Sequence, residues 1–63
     1  MEKHLLKIQT LKDGKVKETF TKEYDSLKSA NDEMYHQASI MGDLKDTLIA
    51  TIDGKEELNF VIY

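Results

Sequence analysis

Asp32, Glu33 and His36 are the residues whose types and spacing come closest to acid–base chemistry. On a helix the two carboxylates would neighbour the imidazole, and a carboxylate can orient an imidazole for proton transfer or metal binding. At about 100° per residue, His36 lies about 180° from Leu27, which opens the apolar stripe of the same segment. We therefore expect His36 to face water, as part of a solvated pair of little energetic weight.

Few other residues could support catalysis. The chain has no Cys and so offers no thiol nucleophile, and its three glycines are isolated rather than grouped in a phosphate-binding loop. Ser26, Ser29 and Ser39 do not stand in the strand–turn–helix pattern typical of a nucleophilic serine. We expect no catalytic, cofactor-binding or metal-binding residue, and we interpret the protein as a non-enzyme.

Lysines form the second group of candidate functional residues. Residues 1–22 hold six Lys against three acidic residues, whereas residues 23–63 hold three Lys against nine. A candidate basic patch on the outward face of the first hairpin comprises Lys3, Lys7, Lys15 and Lys17. A nucleic-acid-binding module is one hypothesis for this patch, and a soluble edge strand is the plainer interpretation. Arg, the residue that binds guanine and phosphate in bidentate fashion, is absent, so we do not expect nucleic acid to be the partner.

The acidic part of the chain suggests another hypothesis, an inhibitor that mimics nucleic acid. Its charged surface would comprise Asp25, Asp32, Glu33, Asp43, Asp46, Glu56 and Glu57.

In its size and general character, the chain looks like the small proteins common in Gram-positive bacteria and their phages.

Asp-Gly-Lys occurs twice, at 13–15 and 53–55, each time between β-prone apolar runs. Asp-Gly in that setting is a strong signal for a β-hairpin, because Gly accepts a positive φ at no steric cost. A helical pattern lies between the two predicted hairpins. The sequence therefore predicts one α+β domain over 1–63, with the order ββαββ. Its four-stranded antiparallel or mixed sheet would carry one helix on one face.

The alternation of apolar residues predicts the strand registers. A three-residue turn at 12–14, closed by a glycine bulge, would pair Leu6 with Phe20 and Thr10 with Val16. A five-residue loop at 53–57 would pair Ile49 with Val61 on the outward face. The inward pairs would be Ile52 with Leu58, Ala50 with Phe60 and Leu48 with Ile62.

The strand order follows from charge and β-propensity. Glu18 and Lys22 would point toward the core from the second strand, which is tolerated at a sheet edge. The run 59–63 has the strongest β character of the chain, so the fourth strand is expected in the centre. Together these arguments predict the order 2-1-4-3.

The predicted helix begins after an N-cap at Asp25 or Ser26 and ends before Gly42. Its apolar residues recur at helical spacing and form one stripe, which comprises Leu27, Ala30, Met34, Ala38 and Met41, with Tyr35 and Leu44 on its flanks.

One helix covers one face of the sheet, and the other face carries apolar residues. The candidate interface comprises Leu5, Ile49, Val61 and Tyr63. A domain of this size buries only about 60% of the surface of its unfolded chain, and neither a disulfide nor a zinc site is available to stabilise it. We therefore expect a homodimer that buries this face, and a function in contact with a protein partner not identified by the sequence.

The sequence also bears on location. No apolar run approaches the roughly 20 residues that cross a bilayer, and the first residues hold no apolar segment typical of a signal peptide. The absence of Cys suits a reducing compartment. We expect a cytoplasmic protein without a membrane partner.

Overall fold

The computed structural model describes residues 3–63 and contains four strands and one helix in the order ββαββ. The elements are β1 (His4–Lys12), β2 (Lys15–Tyr24), α1 (Leu27–Ile40), β3 (Thr47–Ile52) and β4 (Lys55–Val61). All neighbouring strands are antiparallel and form one open sheet. The predicted α+β fold is confirmed.

Both hairpins turn on two residues. Asp13 and Gly14 have φ of 54° and 79°, and Asp53 and Gly54 have φ of 54° and 80°. Positive φ at both central residues defines the turn that matches the twist of the flanking strands, and Asp-Gly accepts it best. The predicted positions of the turns are confirmed, but the predicted loops of three and five residues are wrong.

A bulge follows each turn and absorbs the extra residue. In the first hairpin Leu11 pairs with Val16 and Thr10 with Glu18, which leaves Lys17 unpaired. In the second hairpin Thr51 pairs with Glu56 and Ala50 with Leu58, which leaves Glu57 unpaired. The bulges allow tight turns while Phe20 and Leu58 still face the core, because an extra residue reverses the alternation beyond it.

The bulges shift the predicted pairs. Phe20 lies opposite Ile8 rather than Leu6, and Val16 is turned to the outward face. In the second hairpin Val61 pairs with Thr47, Phe60 with Leu48 and Lys55 with Ile52. The predicted pair of Ile49 with Val61 is therefore not formed, although both residues do lie on the outward face.

The two hairpins are related by an approximate two-fold axis perpendicular to the sheet. Gln9 and Ile49 stand the same number of residues before the two Asp-Gly turns, and they pair with each other where β1 meets β3. The similar turn sequences thus have a structural counterpart.

The strands lie in the order β2-β1-β3-β4. The prediction of β2 at an edge is confirmed, and the prediction of β4 in the centre is wrong. The central strands are β1 and β3, and the inward residues of β3, Leu48, Ala50 and Ile52, are all buried. Placement in a sheet depends on what a strand packs against, which β-propensity alone does not encode.

The core lies between α1 and the two central strands. Ala30 and Met34 of the helix are buried against Leu6, Ile8, Leu48, Ala50 and Ile52. Ala38 and Met41 pack at the margin of this cluster, whereas Leu27, Tyr35 and Leu44 are exposed. The predicted apolar stripe is therefore confirmed in its middle and wrong at Leu27.

The helix ends follow the predicted capping residues. Ser26 is the N-cap, and its side chain accepts a hydrogen bond of 3.1 Å from the backbone N–H of Ser29. The C-cap Met41 is followed by Gly42, whose φ is 81°. A Cβ on Gly42 would lie 2.7 Å from Cδ1 of Ile62, so glycine is required here for space as well as for conformation.

Candidate functional site

The acidic and His group on α1 lies at the surface. Asp32 accepts a hydrogen bond of 2.9 Å from the ammonium of Lys28, which raises the pKa of that lysine. His36 is exposed. Within residues 3–63, no group of three His, Cys, Asp or Glu residues is placed to hold a metal ion.

Tyr24 joins this group from β2. A shallow depression of about 520 Å³ between the helix and β2 is lined by Tyr24, Ser29, Asp32, Glu33 and His36. Burial and the nearby carboxylate of Glu33 raise the pKa of the Tyr24 hydroxyl. The depression therefore holds a phenol in its neutral form, beside carboxylates that are open to water.

The four lysines of the candidate basic patch are separated by the fold. Lys7 lies on the outward face between Thr21 and Thr51, and Lys15 pairs with Lys12 beside the first turn. Lys3 forms an ion pair of 3.1 Å with Asp25. Lys17, which was expected on the outward face with the others, sits in the bulge and reaches two carboxylates.

Lys17 joins the bulge of β2 to the loop between α1 and β3. Its Nζ donates hydrogen bonds to Asp43 and, at 2.9 Å, to Oδ2 of Asp46. The side chain of Asp46 is only 1% exposed, and the same oxygen accepts the backbone N–H of Asp43 at 2.9 Å. That backbone hydrogen bond, followed by Lys17, lowers the pKa of Asp46, and the bonds to Asp43 and Asp46 raise the pKa of Lys17.

Several acidic residues of the predicted charged surface are also neutralised by neighbours. Ion pairs engage Asp25, Asp32, Asp43 and Asp46. These pairs place acidic and basic side chains side by side within both predicted surfaces.

The four residues of the candidate interface do not form one cluster. Leu5 lies at one end of β1, and Val61 lies across from Thr47, which pairs with Leu11. Leu5 and Leu11 are six residues apart, which is about 20 Å along a strand. Ile49 lies between Gln9 and Asn59, and Tyr63 is almost fully exposed beyond the end of β4.

Apolar residues on the outward face are concentrated at one end of the sheet. One residue from each strand forms a row across the sheet at this end. We name it the outer apolar row, and it comprises Val16, Leu11, Thr47 and Val61. The next two rows toward Leu5 are mostly polar, since they carry Thr, Gln, Asn, Lys and Glu around Ile49. A mostly polar face is typical of the solvated side of an antiparallel sheet.

A second apolar surface lies on the inward face. Within residues 3–63, α1 contacts β1, β2 and β3 but not β4. The inward residues of β4 and its extension are Leu58, Phe60 and Ile62, which we name the β4 strip; Leu58 and Ile62 are partly buried against the core, whereas Phe60 is 41% exposed.

The helix carries further exposed apolar side chains. Leu27 and Tyr35 are both exposed and stand on the side of α1 that carries Asn31. A groove of about 620 Å³ between the helix and the second hairpin is lined by Leu27, Lys28, Asn31, Ile52, Asp53, Lys55 and Glu57. This groove is therefore mostly polar, and Phe60 is the exposed apolar residue on the inward face of β4.

The open edge of β4 lies beside the strip. No charged side chain occurs from Leu58 to Tyr63. β4 carries its charged residues Lys55, Glu56 and Glu57 and its bulge at the turn end, whereas β2 carries Lys15, Lys17, Glu18, Lys22 and Glu23 along its length. Charges and bulges at an edge oppose the addition of another strand, so the segment 58–61 of β4 is less protected than β2.

Comparisons with known proteins give no assignment, because the chain matches no protein-family model, no curated protein and no solved structure. No helix within residues 3–63 has the length and apolar character to cross a membrane.

The β4 strip is the feature that the sequence argument did not identify. The signal was present, since Phe60, Val61, Ile62 and Tyr63 form a continuous apolar run rather than an alternating one. Such runs are typical of strands covered on both faces.

Proposed function

We propose that this protein is a non-enzymatic contact protein and that it works as a homodimer. The observation that carries the proposal is Phe60 of the β4 strip, an exposed inward aromatic residue on an edge strand that the helix does not contact. Aromatic side chains are enriched at protein–protein interfaces. A second copy is the occupant that fits best, because Phe60 and the uncharged segment of the edge lie on the same strand and can both be covered in one contact.

The charge pattern supports a partner that is neither nucleic acid nor a nucleic-acid-binding enzyme. Lys3 and Lys17 are held by carboxylates, and the acidic residues that hold them are neutralised in turn. Binding to nucleic acid depends on contacts between free Lys or Arg side chains and phosphates, and it falls steeply with salt. We expect no measurable binding to nucleic acid at low salt.

The proposal also places the protein in the cytoplasm. A chain without Cys gains nothing from an oxidising compartment, where a small domain would ordinarily carry disulfides. Within the cytoplasm, the dimer would present its charged hairpins and the outer apolar row to a further protein.

The test is absolute mass by light scattering on a sizing column, across a wide dilution series. We expect twice the chain mass of 7.3 kDa at high concentration, with dissociation on dilution. Phe60→Glu places a charge in the β4 strip and should give a monomer. Val16→Glu is the matched control, since Val16 is an exposed apolar residue of the outer apolar row and is 54% exposed.

The two variants also separate the inward from the outward face. A dimer that survives Phe60→Glu but dissociates with Val16→Glu would move the interface to the outward face. A folded wild-type monomer at every concentration, verified by far-ultraviolet circular dichroism, would overturn the homodimer.

A further inference from the structure

We propose that a second copy adds to β4 as an antiparallel strand, with Phe60 facing Phe60 of the second copy across a two-fold axis. This inference rests on the proposed homodimer and specifies its geometry. The product is a continuous eight-stranded sheet in which both helices lie on the same face.

The direction of the backbone groups supports this pairing. The N–H of Ile62 donates to the carbonyl of Asp46 at 2.8 Å, toward the β3 side. Backbone groups of successive residues in a strand alternate in direction, so Phe60 and Leu58 also face β3. The backbone N–H and C=O of Asn59 and Val61 consequently point to the open edge, where they are available to a second strand.

The hydrogen bonds between β1 and β3 lead independently to the same directions for the backbone groups of β4. The N–H of Asp53 donates to the carbonyl of Leu5 at 2.9 Å, so Asp53, Thr51 and Ile49 direct their backbone groups toward β1. The residues between them, including Leu48 and Ala50, direct theirs toward Phe60 and Leu58 of β4.

The register follows from matching these groups to a copy of the same strand. Centring the two-fold axis on Phe60 places Asn59 opposite Val61 twice, so the outward backbone groups of both copies are satisfied. On the inward face, Phe60 then meets Phe60, and Leu58 meets Ile62 on either side. One register thus brings the exposed Phe60 side chains of the two copies together, and it keeps the bulge at Glu57 outside the central pairs.

The remaining edges of such a dimer are the two β2 strands. Each carries Glu18 and Lys22 toward the inward face and the bulge at Lys17. These features oppose further strand addition, so the assembly closes at two copies instead of growing into a fibre.

Disulfide cross-linking tests the register, because the protein has no native cysteine. In the proposed pairing, residues 60 of the two copies form a non-hydrogen-bonded pair, with Cα atoms about 4.5 Å apart, a separation that a disulfide spans. In a glutathione redox buffer, we expect Phe60→Cys to form the covalent dimer at least about 100-fold more readily than a surface cysteine that meets its copy only by collision. Val16→Cys is that control.

Two proline variants test the edge without changing an inward side chain. Asn59→Pro removes an N–H that points to the open edge of β4, and therefore breaks no hydrogen bond inside the monomer. Thr21→Pro removes the equivalent outward N–H on β2. We expect Asn59→Pro to raise the dissociation constant of the dimer by roughly tenfold or more, since two intermolecular hydrogen bonds are lost. Thr21→Pro should leave the dissociation constant unchanged.

The outcomes separate this inference from the proposed function. A dimer in which Val16→Cys or Ile49→Cys cross-links faster than Phe60→Cys would overturn strand addition and retain the homodimer. A dimer indifferent to Asn59→Pro would overturn it as well. A wild-type monomer at every concentration would overturn both proposals.

Discussion

Nζ of Lys17 lies 2.9 Å from Oδ2 of Asp46, so that a lysine at a sheet edge neutralises a buried carboxylate in the loop after the helix. The bulge in β2 makes this contact available, because it removes Lys17 from the regular alternation of the strand. The ion pair and the backbone N–H of Asp43 together fasten the α1–β3 loop to the first hairpin.

Removing only the cation of the Lys17–Asp46 ion pair should lower the free energy of unfolding more than removing both of its charges. Lys17→Met leaves the carboxylate of Asp46 buried without its counter-ion, and we expect a clear decrease in the free energy of unfolding. The double variant Lys17→Met with Asp46→Asn should recover part of this loss, because the amide oxygen can still accept the N–H of Asp43. Urea denaturation of the wild type, both single variants and the double variant measures the coupling. Additive effects of the two substitutions would contradict it.

The stability of the protein should depend on pH at both extremes. The pKa values of Asp46 and Asp53 are below the ordinary 3.8 in the folded protein; for Asp53 the causes are the imidazole of His4 and then the N–H of Leu5. Their contribution is therefore present above about pH 4 and lost as the pH falls through the folded pKa values.

Lys17 acts in the opposite sense, because its folded pKa is raised above 10.5. Its contribution is fully present below that pH and is lost as the pH rises toward and through the raised folded pKa. We expect a plateau in the free energy of unfolding between these limits, as measured by urea denaturation at several pH values. Asp53→Asn should make the acid side of the profile shallower. Asp13→Asn, at the equivalent position of the first turn, controls for the change in net charge.

Gly42 and Gly14 should respond differently to the same substitution. Both have positive φ, but a Cβ at Gly42 would lie 2.7 Å from Ile62 and 3.1 Å from Thr10, whereas a Cβ at Gly14 meets no atom within 4 Å. Gly42→Ala should lower the free energy of unfolding by about 2–4 kcal/mol, and Gly14→Ala by about 1 kcal/mol. Equal losses in urea denaturation would mean that packing around Gly42 is unimportant.

Met34 is the largest helix side chain in the core. Met34→Ala should decrease the free energy of unfolding by about 2–5 kcal/mol, because a cavity opens above the two central strands. Ile40→Ala is the control on the same helix, since Ile40 is 65% exposed and should change stability by no more than about 0.5 kcal/mol. Thermal unfolding compares the two; a small effect of Met34→Ala would indicate that α1 is only loosely held on the sheet.

Local chemistry in the sequence was sufficient to locate the elements. The Asp-Gly pairs located both turns, Ser26 and Gly42 located the ends of the helix, and the alternation of Leu6, Ile8 and Thr10 assigned their face correctly. Each of these signals depends on the conformation of only a few neighbouring residues.

The pairs and the strand order could not be read in the same way. Two arrangements of the second hairpin place the same side chains inward: a tight turn followed by a bulge, and a longer loop that has no bulge. The alternation of Leu58 and Phe60 is the same in both, so it does not distinguish them. The predicted Ile49–Val61 pair followed from the longer loop. The candidate interface was based on that pair, so it depended on the same assumption. The position of β4 depended on which strands the helix covers, a relation between distant parts of the chain.

The topology also determines how the chain can assemble during folding. β1–β2 and β3–β4 pair segments adjacent in sequence, whereas the ladder through Gln9 and Ile49 pairs strands on either side of α1. Isolated hairpins form within about 1–10 μs, whereas closing the long segment that contains the helix has a larger entropic cost. Docking of β1 on β3 is therefore the step expected to limit the folding rate. Substitutions of Ile8 or Ala50 should slow folding, while substitutions on β4 should chiefly accelerate unfolding.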